Sequence, residues 1–220
     1  MQLYTTIFKS KSEERVEDFL YTLHKNSEVF DSIFVFTEDN PKILLRHNIR
    51  VIPTYNRPTF SSIFQFIKAK MPESKIPCVV ANGDIVFDRS IHELRSMPSN
   101  YFAAISKSEP NGEFASQGRV EITQDAWCFF PALLSEAVIH ECVFHPGTMG
   151  CDNRLAAIFQ VNGFTLVNPC NSIFLQHIHS SFSAAPEDHR VYGQYCFIPS
   201  CEVSDFSNPP KTSFAEFTKP

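Results

Sequence analysis

The stretch from Cys78 to Asp88, CVVANGDIVFD, sets an apolar run directly against the polar triplet Asn-Gly-Asp. The apolar run predicts a buried strand, and the first polar side chains mark where the backbone leaves the sheet. Asn82 and Asp84 stand one residue apart, so both can reach a common point, while Gly83 lets the backbone approach closely. Two interpretations stay open for Asp84, an ordinary turn or an acid presented to a ligand. For Asp88, which precedes RSIHEL, the favoured interpretation is a helix cap.

The segments around this stretch alternate between apolar strands and amphipathic helices. Strands are predicted at 3–8, 32–38, 49–55 and 78–82, and a helix with its apolar residues inward is predicted at 59–70. Strands that are apolar on both faces predict a parallel sheet covered on both sides. The fold class is therefore α/β, with a Rossmann-like, mostly parallel sheet. The second half is less regular and predicts a smaller mixed region, with strands at 101–106, 119–130, 164–169 and 172–180 and a helix at 151–163.

Polar residues follow the ends of the predicted parallel strands. In open α/β sheets, ligands bind beyond the carboxyl ends of the strands. These residues are therefore candidates for contacts with a nucleotide: Thr5, Thr6, Glu38, Arg57, Asn82, Gly83 and Asp84.

Composition limits the classes of function. A chain of 220 residues with a net charge of −5 has no basic surface for sequence-independent nucleic-acid binding. No apolar run approaches the length of a membrane span. The seven Cys are an odd number without framework spacing, which favours a reducing compartment without disulfides, and hence the cytoplasm.

Two histidines in QHIHSS form a candidate metal site. In an extended segment, His177 and His179 point to the same face and lie about 6.6 Å apart along the strand. One of them can reach a divalent ion, with the other at a phosphate. Surface or core histidines are the alternative interpretation of such a pair.

Two further aspartates have open interpretations. Asp152, in the first turn of the predicted helix in GCDNRLAAIFQ, is stabilised there by the helix macrodipole, and a simple N-cap is the alternative. Asp125 precedes the only Trp, Trp127, which is either a platform for a sugar or a core indole. The chain has no phosphate-binding Gly-rich loop, so the phosphates of a bound nucleotide would need another counter-charge, such as a metal ion.

Taken together, these segments resemble glycosyltransferases of the GT-A fold over about residues 1 to 182. The triplet NGD at 82–84 stands where that family has its Asp-x-Asp metal motif, with Asn in place of the first acid. GCDNR resembles the family's Gly-x-Glu-Asp segment, with Asp152 on the Asp and Cys151 replacing the Glu. His177 or His179 matches the late His of the metal site. The order of the segments is similar to that of N-terminal glycosyltransferase domains in multidomain chlorella-virus proteins, which implies a viral protein of the host-cell cytoplasm.

The resemblance implies a function. It implies transfer of a hexose or 6-deoxyhexose from a UDP-sugar to a hydroxyl of a glycan or glycoprotein acceptor, with Mn²⁺ or Mg²⁺ as cofactor. Asp84 and one His would hold the cation, Arg57 would contact the uracil or a phosphate, and Asp152 would act as catalytic base. Inverting and retaining outcomes both stay open. Asp125, Trp127 and Asn153 are expected to contact the sugar or the acceptor.

The expected domain organisation is one GT-A domain over 1–185, with a nucleotide-binding half (1–88) and an acceptor and metal-completing half (89–185). Residues 186–220 are expected to form an extension or linker, with the possibility of further domains after it. Two alternative functions stay open: a sugar-phosphate nucleotidyltransferase, and a non-catalytic nucleotide- or carbohydrate-binding module.

Overall fold

The computed structural model describes residues 1–8, 12–38, 47–107, 120–178 and 190–219. The helices are α1 (Glu13–Asn26), α2 (Phe60–Lys70), α3 (Glu136–Glu141) and α4 (Cys151–Val161). Short 3₁₀ helices lie at Arg89–Ser96, Val120–Ile122, Pro131–Leu133 and Val203–Ser207. The strands are β1 (Gln2–Ile7), β2 (Ser32–Thr37), β3 (Ile49–Pro53), β4 (Cys78–Ala81), β5 (Ile85–Phe87), β6 (Tyr101–Ile105), β7 (Ala126–Phe129), β8 (Thr165–Val167), β9 (Leu175–His177), β10 (Gly193–Phe197) and β11 (Ser213–Phe217).

Seven strands of the described residues form the central sheet, in the order β3-β2-β1-β4-β7-β6-β8. The half made of β3, β2, β1 and β4 is parallel, whereas β7 runs antiparallel to both of its neighbours. Ala126, at the start of β7, is opposite both Ala81 and Ile105, the last residues of β4 and β6. The carboxyl ends of β1, β4 and β6 and the amino end of β7 therefore meet at one edge of the sheet.

Both faces of the sheet are buried, as predicted from the apolar strands. Leu3 and Val79 pack with Phe19 and Leu23 of α1 on one face. The next residues along the strands, such as Tyr4 and Val80, pack on the other face against α2, α3 and α4. This second face is rich in phenylalanine: Phe64 of α2, for example, lies 5.4 Å from Phe129 and 5.7 Å from Phe159 between ring centroids.

Local sequence explains where the helices begin. The Ser12 hydroxyl accepts a hydrogen bond from the Arg15 backbone N–H and caps α1. Thr59 and Ser62 form a reciprocal capping box at the start of α2. Asp88 caps the 3₁₀ helix Arg89–Ser96 by accepting a hydrogen bond of 2.8 Å from the Ser90 backbone N–H, so the cap interpretation is confirmed.

The strand predictions for the second half are partly wrong. In the described part of 119–130, a 3₁₀ turn precedes the four-residue strand β7. In the described part of 172–180, only Leu175–His177 is a strand, and it pairs with β5 outside the central sheet. The strand β5 was not predicted, because three residues are too few to show an alternation.

The segment expected to be an extension or linker contains the antiparallel pair β10–β11. Tyr195, Cys196 and Ile198 are buried, and Arg154 of α4 donates a hydrogen bond to the Gln194 carbonyl at 3.4 Å. This pair therefore packs against α4. The domain boundary at residue 185 stays a prediction.

None of the helices in the described ranges combines the length and the apolarity needed to cross a lipid bilayer.

Candidate functional site

Asp84 lies at the edge where β1, β4 and β6 end, and its carboxylate is buried. Its Oδ2 accepts hydrogen bonds from Arg15 Nη2 at 2.5 Å and from His177 Nε2 at 2.8 Å. Burial raises the pKa of Asp84, but the His177 hydrogen bond and the Arg15 charge outweigh burial and hold the pKa at about 2. Asp84 is therefore an ionised carboxylate with two donors on one oxygen.

The tautomer of His177 follows from its second partner. Lys107 Nζ lies 2.9 Å from His177 Nδ1. An ammonium group can only donate, so Nδ1 must be the accepting nitrogen and Nε2 carries the proton that is donated to Asp84. Both ring nitrogens of His177 are thus occupied within a chain of contacts from Lys107 through His177 and Asp84 to Arg15.

These contacts decide whether the described residues fit a divalent cation. Such an ion needs several oxygen or nitrogen lone pairs that point to one place. His177 has no lone pair to offer in this tautomer, and Asp84 Oδ2 is already shared by two donors. This leaves a single carboxylate oxygen, Asp84 Oδ1, next to the cationic Arg15 guanidinium. Within the described ranges, no three His, Cys, Asp or Glu side chains converge on a metal position. The described residues therefore do not fit the expected metal site, and His179, the other expected ligand, lies outside them.

Asp125 lies beside this chain of contacts, at the start of β7. Asn82 donates to it twice, from its backbone N–H to the Asp125 carbonyl at 3.1 Å and from its side-chain amide to Oδ1 at 3.1 Å. Burial raises the pKa of Asp125, and the Asp84 charge acts in the same direction, against His177, Lys107 and the Asn82 hydrogen bond. Asp125 is thus close enough to Asp84 for the two charges to interact.

Asp152 belongs to the first turn of α4 and is not its N-cap, because Gly150 occupies that position. Its Oδ2 accepts from the Gln124 backbone N–H at 3.2 Å, and its Oδ1 accepts from the Asn153 backbone N–H at 2.9 Å. Burial raises the pKa of Asp152 to about 6 despite these hydrogen bonds, and the nearby Asp125 charge contributes. A carboxylate with a pKa close to neutrality is suited to take a proton at physiological pH.

Two polar atoms next to Asp152 have no hydrogen-bond partner among the residues that the structure describes. They are Gln124 Oε1 and Asn153 Oδ1, and both are buried. A buried acceptor without a donor costs stability. A hydroxyl group or a water molecule at this place would supply the missing donor.

Gly83 makes the close approach of β1 and the β4–β5 turn possible. A Cβ at this position would lie 2.3 Å from the Thr6 carbonyl oxygen and about 3 Å from the Phe19 ring. No other residue fits there without moving the backbone of β1. The glycine therefore serves packing within the chain, at the point where the expected site begins.

Three expected ligand contacts are wrong. Thr5 is buried, and its hydroxyl donates to the Ala81 carbonyl at 3.0 Å. Trp127 is fully buried, edge-on to the Phe60 ring at 4.9 Å between centroids, so it is a core indole and no sugar platform. Asn153 is buried, and its amide donates to the Ile122 carbonyl at 2.9 Å and to Asp152 at 3.1 Å.

The remaining expected nucleotide contacts lie at the surface of the same edge. Thr6 is half-buried and Glu38 is exposed at the end of β2. Arg57 is exposed; its Nη2 donates to the Pro146 carbonyl at 2.5 Å, and its guanidinium lies 5.8 Å from the centre of the Phe8 ring. Arg57 thus bridges the end of β1 and the loop before α4.

Sequence reasoning missed two residues of the site, Arg15 and Lys107. Arg15 lies in the first turn of α1, where a basic residue gives no sign of a tertiary partner. Lys107 follows the predicted strand at 101–106, so its place at a strand end was a usable signal.

Comparisons with known proteins agree on the fold. No protein-family model matches the chain, and no curated protein matches it. Among solved structures, 4-diphosphocytidyl-2C-methyl-D-erythritol synthase from Anaerococcus prevotii is similar, with a TM-score of 0.50, 15% identity and coverage of 86% of this chain and 93% of that one. Residues 1–349 of TarS from S. aureus are similar with a TM-score of 0.51 and 13% identity, over 80% of this chain and 60% of that one.

This chain therefore spans less than two thirds of the TarS fragment that it matches. At these identities the likeness shows the fold alone. The chain has an α/β fold with a mostly parallel central sheet and flanking helices, which matches the fold of its GT-A-like structural neighbours.

Proposed function

We propose that this chain is a glycosyltransferase that moves a hexose or 6-deoxyhexose from a UDP-sugar to a hydroxyl group of a glycan or glycoprotein acceptor. The observation that carries this proposal is the cluster of Asp84, Asp125 and Asp152 with His177 at the carboxyl edge of the parallel strands. Four segments of the chain supply these residues, which is typical of a site assembled for binding rather than of a local turn.

The position of the cluster supports a nucleotide-linked donor. Ligands of open α/β sheets bind beyond the carboxyl ends of the strands, and these side chains lie there. The GT-A-like fold and the likeness to TarS support transfer of a sugar. The half-buried Thr6 and the exposed residues Glu38 and Arg57 border the same edge and are proposed to contact the nucleoside or its phosphates.

Asp152 is proposed as the catalytic base. Its carboxylate takes the proton of the acceptor hydroxyl while that oxygen forms a bond to the anomeric carbon. The bond from the anomeric carbon to the phosphate oxygen breaks, and the nucleoside diphosphate leaves with the bonding electrons. In a retaining reaction Asp152 would instead orient the acceptor.

A nucleotidyltransferase is the second candidate, and a specific observation favours it. The synthase from Anaerococcus prevotii matches over 93% of its own length. Basic residues near the site, Lys107 and Arg57, would suit a triphosphate. Such an enzyme would release pyrophosphate from a nucleoside triphosphate and a sugar phosphate.

Ligand binding and product analysis test the proposal together. A thermal-shift panel of UDP, GDP and dTDP, each with and without Mn²⁺, identifies the nucleobase that the protein prefers. A ligand at about 100 times its dissociation constant stabilises by about 2.7 kcal/mol, or roughly 5–10 °C for a chain of this size. We expect UDP to give the largest shift, and UDP-sugar turnover to release UDP. Release of pyrophosphate from UTP and a sugar phosphate would instead support the second candidate, and binding without either reaction would indicate a binding module.

A further inference from the structure

The contacts of Arg15 are those of a counter-cation. Its guanidinium donates to Asp84 at 2.5 Å and to the Ile178 carbonyl at 3.4 Å, and it lies 3.9 Å from the Asp18 carboxylate. The Arg15 side chain is only 15% exposed. It is held over the Phe19 ring at 4.8 Å from the centroid. These contacts on every side fix the guanidinium against Asp84.

The Asp84 carboxylate is thereby neutralised within the chain. Asp84 Oδ2 has one donor from Arg15 and one from the Nε2–H of His177, and the Nδ1 of His177 is held by Lys107. A divalent ion at Asp84 Oδ2 would have to displace the guanidinium, and an ion at Oδ1 would lie beside it and be repelled by its charge.

Further side-chain cations lie at the same edge of the sheet. The Phe8 ring, at the end of β1, has the Arg15 guanidinium at 5.9 Å and the Arg57 guanidinium at 5.8 Å from its centroid. Lys107 lies on the other side of Asp84, beyond His177. Arg57 is exposed and Lys107 is half-exposed, so both can reach an anion at this edge.

We propose that Arg15 takes the position on Asp84 that a divalent cation would need, so that this chain binds a nucleoside diphosphate through side-chain cations without a metal ion. The inference rests on the proposed function for the identity of the ligand, but not for the state of Asp84. Arg57 and Lys107 supply the positive charge to the phosphates, and Arg15 keeps Asp84 from repelling them.

Binding of Mn²⁺ alone tests the state of Asp84 independently of any nucleotide. We expect electron paramagnetic resonance of Mn²⁺ to show no site in the wild type at about one ion per chain. Arg15→Met should bind Mn²⁺ at least about tenfold more tightly than the wild type does, because Asp84 and Asp18 lose their shared cation. The double variant Arg15→Met/Asp84→Asn should lose that site again.

Arg95→Met is the matched control. Arg95 also pairs with an aspartate, Asp31, at 3.5 Å, but it lies at the opposite edge of the sheet. This variant should bind no Mn²⁺. If Arg15→Met does not fold, Arg15→Gln, which keeps two donors for Asp84 and Asp18 but no charge, takes its place in the same measurement.

Nucleotide binding is the second measurement. Calorimetry with UDP in EDTA and in Mn²⁺ should give dissociation constants within about twofold for the wild type. For Arg15→Met, binding in EDTA should weaken at least tenfold, and Mn²⁺ should restore it, since the ion then replaces the guanidinium.

The outcomes separate the two proposals. A stoichiometric Mn²⁺ site in the wild type that Asp84→Asn removes would overturn the inference, whether or not a nucleotide binds. Loss of UDP binding in EDTA would overturn it as well. Absence of binding by UDP, GDP and dTDP under all conditions would count against the proposed function, while the Mn²⁺ measurement would still decide the state of Asp84.

Discussion

At the scale of single residues, Asp152 has the environment of a proton acceptor. It is held by two backbone N–H groups, from Gln124 and Asn153, which fix the carboxylate without neutralising it with a cation. Asp84, in contrast, has a cationic partner and a low pKa. Two carboxylates of one site thus have opposite pKa shifts, which supports the proposal that Asp152, and not Asp84, takes the proton.

Replacement of Asp152 by Asn tests this assignment. We expect Asp152→Asn to reduce kcat by about 10²- to 10⁴-fold, the usual contribution of a general base, with nucleotide affinity unchanged within about twofold. Steady-state kinetics with a UDP-sugar and calorimetry with UDP measure the two quantities. Asp88→Asn, a change to an exposed helix cap, is the matched control and should leave both unchanged. Turnover of Asp152→Asn within a few-fold of the wild type would rule out the base.

The raised pKa of Asp152 predicts the pH dependence of the reaction. A general base must be ionised, so kcat/KM should reach its maximum above the pKa of Asp152 and fall as the pH decreases through about 6. Asp125→Asn removes a like charge, which should lower the pKa of Asp152 and shift this acid limb to lower pH.

Titration of kcat/KM between about pH 5 and about pH 8 measures the shift. The groups that act on Asp152 are Asp125, from the start of β7, and the backbone N–H groups of Gln124 and Asn153; Tyr195 of β10 and Cys151 also lie near. Glu73→Gln, in the exposed loop before β4, should leave the limb in place. Asp125 and Asp152 titrate as a coupled pair, so removal of the Asp125 charge must shift a limb that reports on Asp152. An acid limb that does not move in Asp125→Asn would therefore show that another group titrates.

At the scale of elements, the start of α4 depends on the C-terminal pair β10–β11. Gly150, the N-cap, has φ +77°, and a Cβ there would lie 1.8 Å from the Tyr195 hydroxyl. Tyr195 donates to the Val191 carbonyl, and the Val191 N–H donates to the Met149 carbonyl at 3.0 Å. The segment from 190 onward therefore holds the loop that presents Asp152.

Two glycine substitutions separate the cost of a positive φ from the cost of the contact between Gly150 and Tyr195. Gly163, with φ +89°, has no atom within 4 Å of an added Cβ, so Gly163→Ala should cost about 1–2 kcal/mol from the positive φ alone. Gly150→Ala should cost about 1–3 kcal/mol more, because Tyr195 must move. Each kcal/mol of lost unfolding free energy should lower Tm by about 2–4 °C, which calorimetry measures. An equal loss in the two variants would show that Tyr195 does not pack on Gly150.

At the scale of the whole molecule, all seven cysteines are buried free thiols that belong to the two apolar clusters on the faces of the sheet. Two of them, Cys196 and Cys201, come from the C-terminal segment. Burial raises the pKa of Cys170 to about 12, and that of Cys196 and Cys201 to about 11. Thiolates are therefore scarce at neutral pH, and the sulfur atoms are sheltered from reagents.

Thiol titration measures this packing. With the Ellman reagent at about pH 8, we expect less than about one thiol per chain to react within minutes in the native state. In guanidinium chloride all seven should react. A reducing agent should leave Tm unchanged. Rapid reaction of several thiols in the native state would show that the core around them opens easily.

The local pattern was enough to predict the fold class and several elements. The apolar strands β1, β2 and β4, the helix α2 and the Asp88 cap follow from interactions within a few residues, which a sequence displays directly. The order of strands and helices also led to the carboxyl edge of the sheet. Asp84 and His177, 93 residues apart, meet at that edge and contact each other there.

What the sequence by itself determined is the α/β architecture and the edge where the polar strand ends converge, because hydrophobic periodicity specifies which elements form and which faces they bury. Only the tertiary structure decided which of those polar residues are exposed at that edge and which are buried. Thr5, Trp127 and Asn153 are turned into the interior by strand register and helix phase, and Arg15 is brought to Asp84 by the packing of α1 on the sheet. A contact between distant segments depends on how whole elements are oriented against one another, and no single stretch of sequence contains that information.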